Sequence, residues 1–196
     1  MRWDHLFDDI EAQLERELSA EEQDLVAEEE RLRLGRLAVR DRLRALHASS
    51  TEPLSITLKT GSRLLMSVEG FGRDWVSVDV IDGPVRRGPC LVPIASITSI
   101  SLPPGRVAAS LDAERDARAE ASLALRLGLP FVLRDLCRRR RSVELVTAHA
   151  TTRGTIDRVG RDHLDLAVHE PGSPRRVGQI SEVAVVPLAS LVLVLF

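Results

Sequence analysis

The chain contains no asparagine and no tyrosine, a single lysine, two cysteines and only 3% aromatic residues. Each shortage excludes something. With so few rings, the core must be built from Val, Leu, Ile and Ala, and a row of aromatic platforms for stacked bases is ruled out. Cys90 and Cys137 make neither a disulfide framework nor a metal-ligand spacing. Cys90 lies in a strand-like run and reads as a buried, inert thiol. No apolar run reaches the roughly 20 residues of a membrane span. The acidic opening Met1-Arg2-Trp3-Asp4 lacks the apolar core of a signal peptide, so a cytoplasmic protein without a membrane partner is expected.

Signatures of catalysis are missing too. There is no Gly-rich phosphate loop, no dinucleotide fingerprint and no Gly-x-Ser-x-Gly elbow around Ser96 or Ser190. His149, His163, His169 and Glu170 lack the spacing of a shared metal site, because His163 and His169 fall at opposite ends of one strand face. The expectation is a non-enzyme with no cofactor and no metal.

What is present is an internal duplication. Gly72-Arg73-Asp74 recurs as Gly160-Arg161-Asp162, each followed by alternating apolar residues: Val76, Val78 and Val80, then Leu164, Leu166 and Val168. Val92-Pro93-Ile94-Ala95-Ser96-Ile97 recurs as Val186-Pro187-Leu188-Ala189-Ser190-Leu191, and an arginine pair separates the landmarks both times, as Arg86-Arg87 and Arg175-Arg176.

Charge is segregated although the net value is only −2. Acids from Asp4 to Glu30 dominate the first stretch, and Arg31 to Arg44 reverse the sign. Trp3, Phe7, Ile10, Leu14 and Leu18 fall at helical spacing, which predicts one long helix or two abutting ones from about Asp4 to Leu46. From Leu54 the period drops to two, predicting five strands up to Leu102. Helical character returns over 108–127, a short helix follows from Phe131 to Arg139, and five more strands run from Val143 to Phe196. The implied division is an amphipathic helical segment (1–50), a first strand unit (51–103), a helical connector (104–140) and a second strand unit (141–196).

A short helix followed by five bent strands resembles the Sm-like (LSm-type) small barrel. Gly154-Thr155-Ile156, Val159-Gly160 and Leu164-Asp165-Leu166 look like the first Sm motif, and Ala95-Ser96-Ile97-Thr98-Ser99-Ile100 resembles the corner into the last strand of bacterial Sm-like RNA chaperones. The whole chain, from its Arg-Trp-Asp-x-Leu-Phe opening, also resembles a conserved actinobacterial family that brings no activity with it. The resemblance implies a mainly-β α+β fold: two tandem five-stranded Sm-like barrels with an N-terminal helical segment and a helical connector. It does not carry over the base-holding asparagine, since Ser77 and Asp165 fall at that place. Nor does it carry over the Lys-His pair, whose positions fall near Pro93-Ile94 and Pro187-Leu188.

The candidate sites are therefore cationic. Arg86, Arg87, Arg175 and Arg176 on hairpin loops, with the run Arg138, Arg139, Arg140 and Arg141, could grip phosphate without reading bases. Arg138–Arg141 could equally pair with the acidic helix. Trp3, Phe7 and Trp75 are candidate partner contacts, Trp75 being either packed on a helix or the other barrel, or open to a ligand. Two functions compete: a non-catalytic binding or adaptor protein associated with RNA through phosphate-directed arginines, or a protein-interaction scaffold docking through its acidic helix. Self-association is compatible with both.

Overall fold

A computed structural model describes residues 22–112, 123–170 and 180–196. The chain divides into two compact units, Met1–Ala38 and Val39–Phe196. Within the first, helix α1 (22–36) ends just after Gly35, and its acids pair with its own arginines, Glu28 with Arg31 at 3.2 Å and Glu30 with Arg33 at 2.7 Å. Such i,i+3 pairs suit a solvated helix. Trp3 and Phe7 lie outside the described residues.

The second unit repeats one pattern, a helix followed by five strands. In the first half, α2 (Val39–Ser49) precedes β1 (Leu54–Leu58), β2 (Arg63–Phe71), β3 (Trp75–Asp82), β4 (Gly88–Pro93) and β5 (Ile97–Ser101). The connector holds α3 (Val107–Leu111). In the second half, α4 (Leu129–Arg138) precedes β6 (Ser142–Thr147), β7 (Thr151–Val159), β8 (His163–Val168), β9 (Glu182–Pro187) and β10 (Leu191–Leu195). Pro130 sits in the first turn of α4, where a missing N–H costs nothing.

The strands follow the alternation of the sequence. Leu54, Ile56 and Leu58 are buried while Ser55 and Thr57 are half-buried, and Val76, Val78 and Val80 point inward between Ser77 and Asp79. Register slips fall at matching places, between Val68 and Gly70 in β2 and between Ile156 and Arg158 in β7. A bulge there bends both long strands alike.

Two separate five-stranded barrels do not form. One open antiparallel sheet of ten strands runs through both halves, in the order β5-β1-β2-β3-β4-β10-β6-β7-β8-β9. The joint is β4 against β10, with Leu91 opposite Val194 and Cys90 opposite Leu195. The mainly-β character stands, but the last strand of the second repeat is a central strand lying between β4 and β6. Its composition explains why. Leu191 to Leu195 are all buried, with no polar face to turn to water, and a strand apolar on both sides belongs inside a sheet covered on both faces.

Each half lends side chains to the other across the joint. The first core, built on Leu43, Leu46, Ile56, Leu64, Met66 and Val78, also takes Val146, Val192, Leu193 and Leu195. The second, built on Leu129, Leu133, Leu145, Ile156 and Leu166, takes Leu91. Ser96 fastens the seam: its buried hydroxyl lies 2.7 Å from the Pro93 carbonyl and 2.9 Å from that of Val192.

Candidate anion-binding cleft

The β2–β3 and β7–β8 turns are built alike. In the first, Gly72 N–H donates to the Trp75 carbonyl and Ile94 N–H to the Asp74 carbonyl; in the second, Gly160 N–H donates to His163 and Leu188 N–H to Asp162. In both turns a ring closes over the glycine. A Cβ on Gly72 would overlap the Trp75 indole, and one on Gly160 would come within 2.7 Å of the His163 ring. The recurring Gly-Arg-Asp is thus a structural device that leaves its arginine outside the sheet.

The two turns then diverge. Trp75 Nε1 donates to the Leu127 carbonyl at 3.0 Å, and Arg73 N–H donates to the same oxygen at 2.9 Å. Trp75 is half-buried and packs against the second core, which makes it a strut between the halves. Asp74 Oδ1 accepts the Leu129 N–H at 2.7 Å, supplying the α4 N-terminus with the acceptor that Gly128 lacks. In the second turn, His163 Nδ1 meets Asp162 at 2.8 Å, and that bond holds the Asp162 carboxyl below its ordinary value.

These fastenings bring Arg73 and Arg161, from corresponding positions of the two halves, to one open cleft of about 550 Å³ that Arg134 from α4 also lines. Arg134 Nη2 donates to the Gly160 carbonyl at 3.1 Å, and Arg40 Nη1 donates to that of Arg73 at 3.1 Å. Gly128 lines the floor beneath the Arg73 guanidinium, and Phe131 stands at the cleft with 51% of its surface exposed. One carboxylate touches the set: Asp74, 3.5 Å from Arg73, already shared with the helix end. Among the described residues no carboxylate pairs with Arg134 or Arg161. The local charge is positive, and three guanidinium forks can each present paired donors to an oxyanion. By contrast, the smaller cleft of about 240 Å³ beside α2 is lined by Glu52 and Glu69 and would repel an anion.

The arginines singled out by clustering are spread elsewhere. Arg86 donates to the Phe196 carbonyl at 3.3 Å, and Arg87 lies 3.9 Å from Asp82. Arg138 and Arg139 both pair with Asp135, at 3.0 and 2.7 Å, and Arg140 with Asp157 at 3.0 Å. Burial works against ionisation of Asp135, but the bonds from Arg138 and Arg139 outweigh it and its carboxyl titrates below its usual range. Arg140 takes φ 51° where the chain leaves α4, a position usually given to glycine. Arg138–Arg140 thus answer acids of their own half. Arg141 is exposed, and Arg175 and Arg176 lie outside the described residues. The sequence reading missed Arg134 and Phe131, and took Arg73 and Arg161 only as landmarks of the repeat.

His163 and His169 have separate duties. His169 is buried, with Nε2 2.9 Å from the Thr155 hydroxyl and Nδ1 3.1 Å from the Glu170 carbonyl. Among the described residues no three His, Cys, Asp or Glu side chains converge to hold a metal. Nor is any helix there long and apolar enough to cross a membrane. No protein-family model, curated protein or solved structure matches the chain.

Proposed function

We propose that the protein is a non-catalytic, cytoplasmic RNA-binding adaptor, and that its cleft grips the phosphates of a single strand through Arg73, Arg134 and Arg161. One observation carries the reading. The two copies of a duplicated arginine converge with a third on the same cleft, and among the described residues only Asp74 pairs with any of them. Phe131 offers a single face for a base, enough for one stacking contact and too little for sequence readout. Binding should therefore be phosphate-directed and weakly selective.

Titrating a fluorescein-labelled single-stranded RNA across a salt series tests this. Binding should weaken linearly in log salt, and replacing Arg73, Arg134 and Arg161 with Ala should flatten the slope by about 0.7 per lost contact, or about 2 in all. Failure of the full chain to bind at low salt would remove the proposal.

The scaffold reading keeps one observation of its own: α1 leaves Leu25, Val26 and Leu32 mostly exposed among its charges. Those positions would meet a protein groove rather than a phosphate. Deleting residues 1–38 would abolish capture of a protein partner under that reading and leave RNA affinity in place under the first.

A further inference from the structure

The ten-stranded sheet ends at β5 and β9, and among the described residues no strand pairs with the outer side of either. The duplication shows what each edge would look like if it had a partner, because β4 is the first-half copy of β9 and β10 is the second-half copy of β5. In the repeat, Leu91 corresponds to Val185 and Pro89 to Val183. Leu91, covered by β10, is 2% exposed; Val185 is 65% exposed and Val183 55%. Ser96, at the covered seam, is buried, and its copy Ser190 is only half-buried. β9 is thus a strand edge whose middle, between Glu182 and Pro187, is apolar and has nothing among the described residues paired to it.

The other edge has been made polar. At the three positions where β10 carries Val192, Leu193 and Leu195 into the first core, β5 carries Thr98, Ser99 and Ser101. A head-to-tail contact of β9 with β5 of another copy would push those hydroxyl side chains into a neighbouring core, at the cost of burying unmatched polar groups. The internal joint is therefore not repeated between chains, and an open polymer is disfavoured.

We infer that β9 is a dimerisation strand, and that its occupant is β9 of a second copy, added antiparallel about a two-fold axis. The register follows from the hydrogen bonding. Leu188 N–H donates to Asp162, continuing the β8–β9 ladder in which even-numbered residues 182–186 face β8. The N–H and C=O groups of Val183 and Val185 then face away from the sheet. Pro187 has no N–H to offer, so the two valines define the usable edge. Pairing Val183 with Val185 of the partner subunit, and the reverse, satisfies both edges and buries four valine side chains as two cross-strand pairs. Glu182 then faces Val186 of the partner subunit, so no like charges meet. An isologous contact of this sort closes at two chains.

One short strand per subunit makes a small interface, at the weak end of specific association. Sedimentation equilibrium of the full chain up to about 100 µM suits that range. The wild-type chain should populate a dimer. Val183→Lys and Val185→Glu should each weaken it at least tenfold while leaving the circular dichroism spectrum and melting temperature unchanged. An equimolar mixture of the two variants should recover the dimer, because the introduced ammonium of one chain then faces the introduced carboxylate of the other and the second valine pair remains intact. A monomeric wild-type chain, variants that dimerise as tightly as wild type, assemblies beyond two chains, or failure of the mixture to recover would each overturn the assignment.

Discussion

Leu91→Ala tests whether the two halves are one folding unit. Leu91 lies on β4 in the first half, yet its side chain is 2% exposed in the second core beside Leu129, Leu133 and Val194. Truncation removes buried methyl groups and leaves a hole between strands whose hydrogen-bonded backbones cannot close over it. Buried Leu-to-Ala changes cost about 2–5 kcal/mol, and a site so constrained belongs near the middle, at about 3 kcal/mol. For a chain of this size each kcal/mol is worth about 2–4 °C, so the melting temperature should fall by about 6–12 °C. Location matters more than magnitude. Because Leu193 and Leu195 run the other way, from β10 into the first core, opening the joint exposes both cores together. Hydrogen exchange followed by mass spectrometry should show β1–β3 and β6–β8 losing protection in parallel, and heating should show a single transition for residues 39–196. If β6–β8 lost protection while β1–β3 kept the wild-type pattern, or if two melting steps appeared, the continuous sheet would not be the cooperative unit and the reasoning would fail.

Gly72→Ala should destabilise by about 1–3 kcal/mol, since its Cβ would occupy the Trp75 ring and force the indole off Leu127; an unchanged melting temperature would show that the indole can move freely. Asp74→Ala should cost about 0.5–2 kcal/mol by leaving the Leu129 N–H without its acceptor, while Asp74→Asn, which keeps an oxygen there, should recover most of it in the same melt. Burial, reinforced by the charge of Asp79, pushes the Cys90 thiol up to about 12. The folded state therefore holds a proton that the unfolded chain releases near pH 9. This contribution to stability is fully present below that pH and should decline by up to about 1.4 kcal/mol per pH unit as pH rises toward 12. Denaturation of wild type and Cys90→Ala over pH 8–11 isolates the effect, which is absent if the two slopes agree.

Much of the secondary structure was legible because alternation reports which face of a strand is dry. Val76, Val78 and Val80 and their copies Leu164 and Leu166 declared both third strands, and the repeated Val-Pro-apolar-Ala-Ser corner placed the turn that follows β4 and β9. Side-chain period says nothing about which strand lies alongside, however. The separate barrels were an inference from family likeness, and they failed on that point. The warning was the run Leu191-Val192-Leu193-Val194-Leu195, which has no polar face and so cannot line the outside of a small closed unit. The cleft was hidden for a different reason. Clustering along the chain drew attention to Arg138–Arg141, whereas the arginines that converge are scattered through the sequence and meet only because Asp74 and Trp75 hold α4 against the first half. Three of the four clustered arginines meet acids close by, where exposed pairs of this kind add little to stability.

The positions at which the two copies differ are those at which their neighbours differ. Trp75 reaches across to Leu127, and its copy His163 turns to the adjacent Asp162. Leu193 fills a core, while Ser99 in the copy lies at the free edge. The Arg73 backbone is anchored, its N–H bonded to Leu127 and its carbonyl to Arg40, while its side chain stays 63% exposed. Arg161 sits on a turn fastened through Gly160 and Asp162, and its guanidinium is free to follow a ligand among the described residues. Exposed guanidinium forks carried on anchored turns can accept phosphates at more than one spacing. That tolerance suits a flexible single strand better than a ligand of fixed shape, and it is consistent with the absence of any asparagine to read a base.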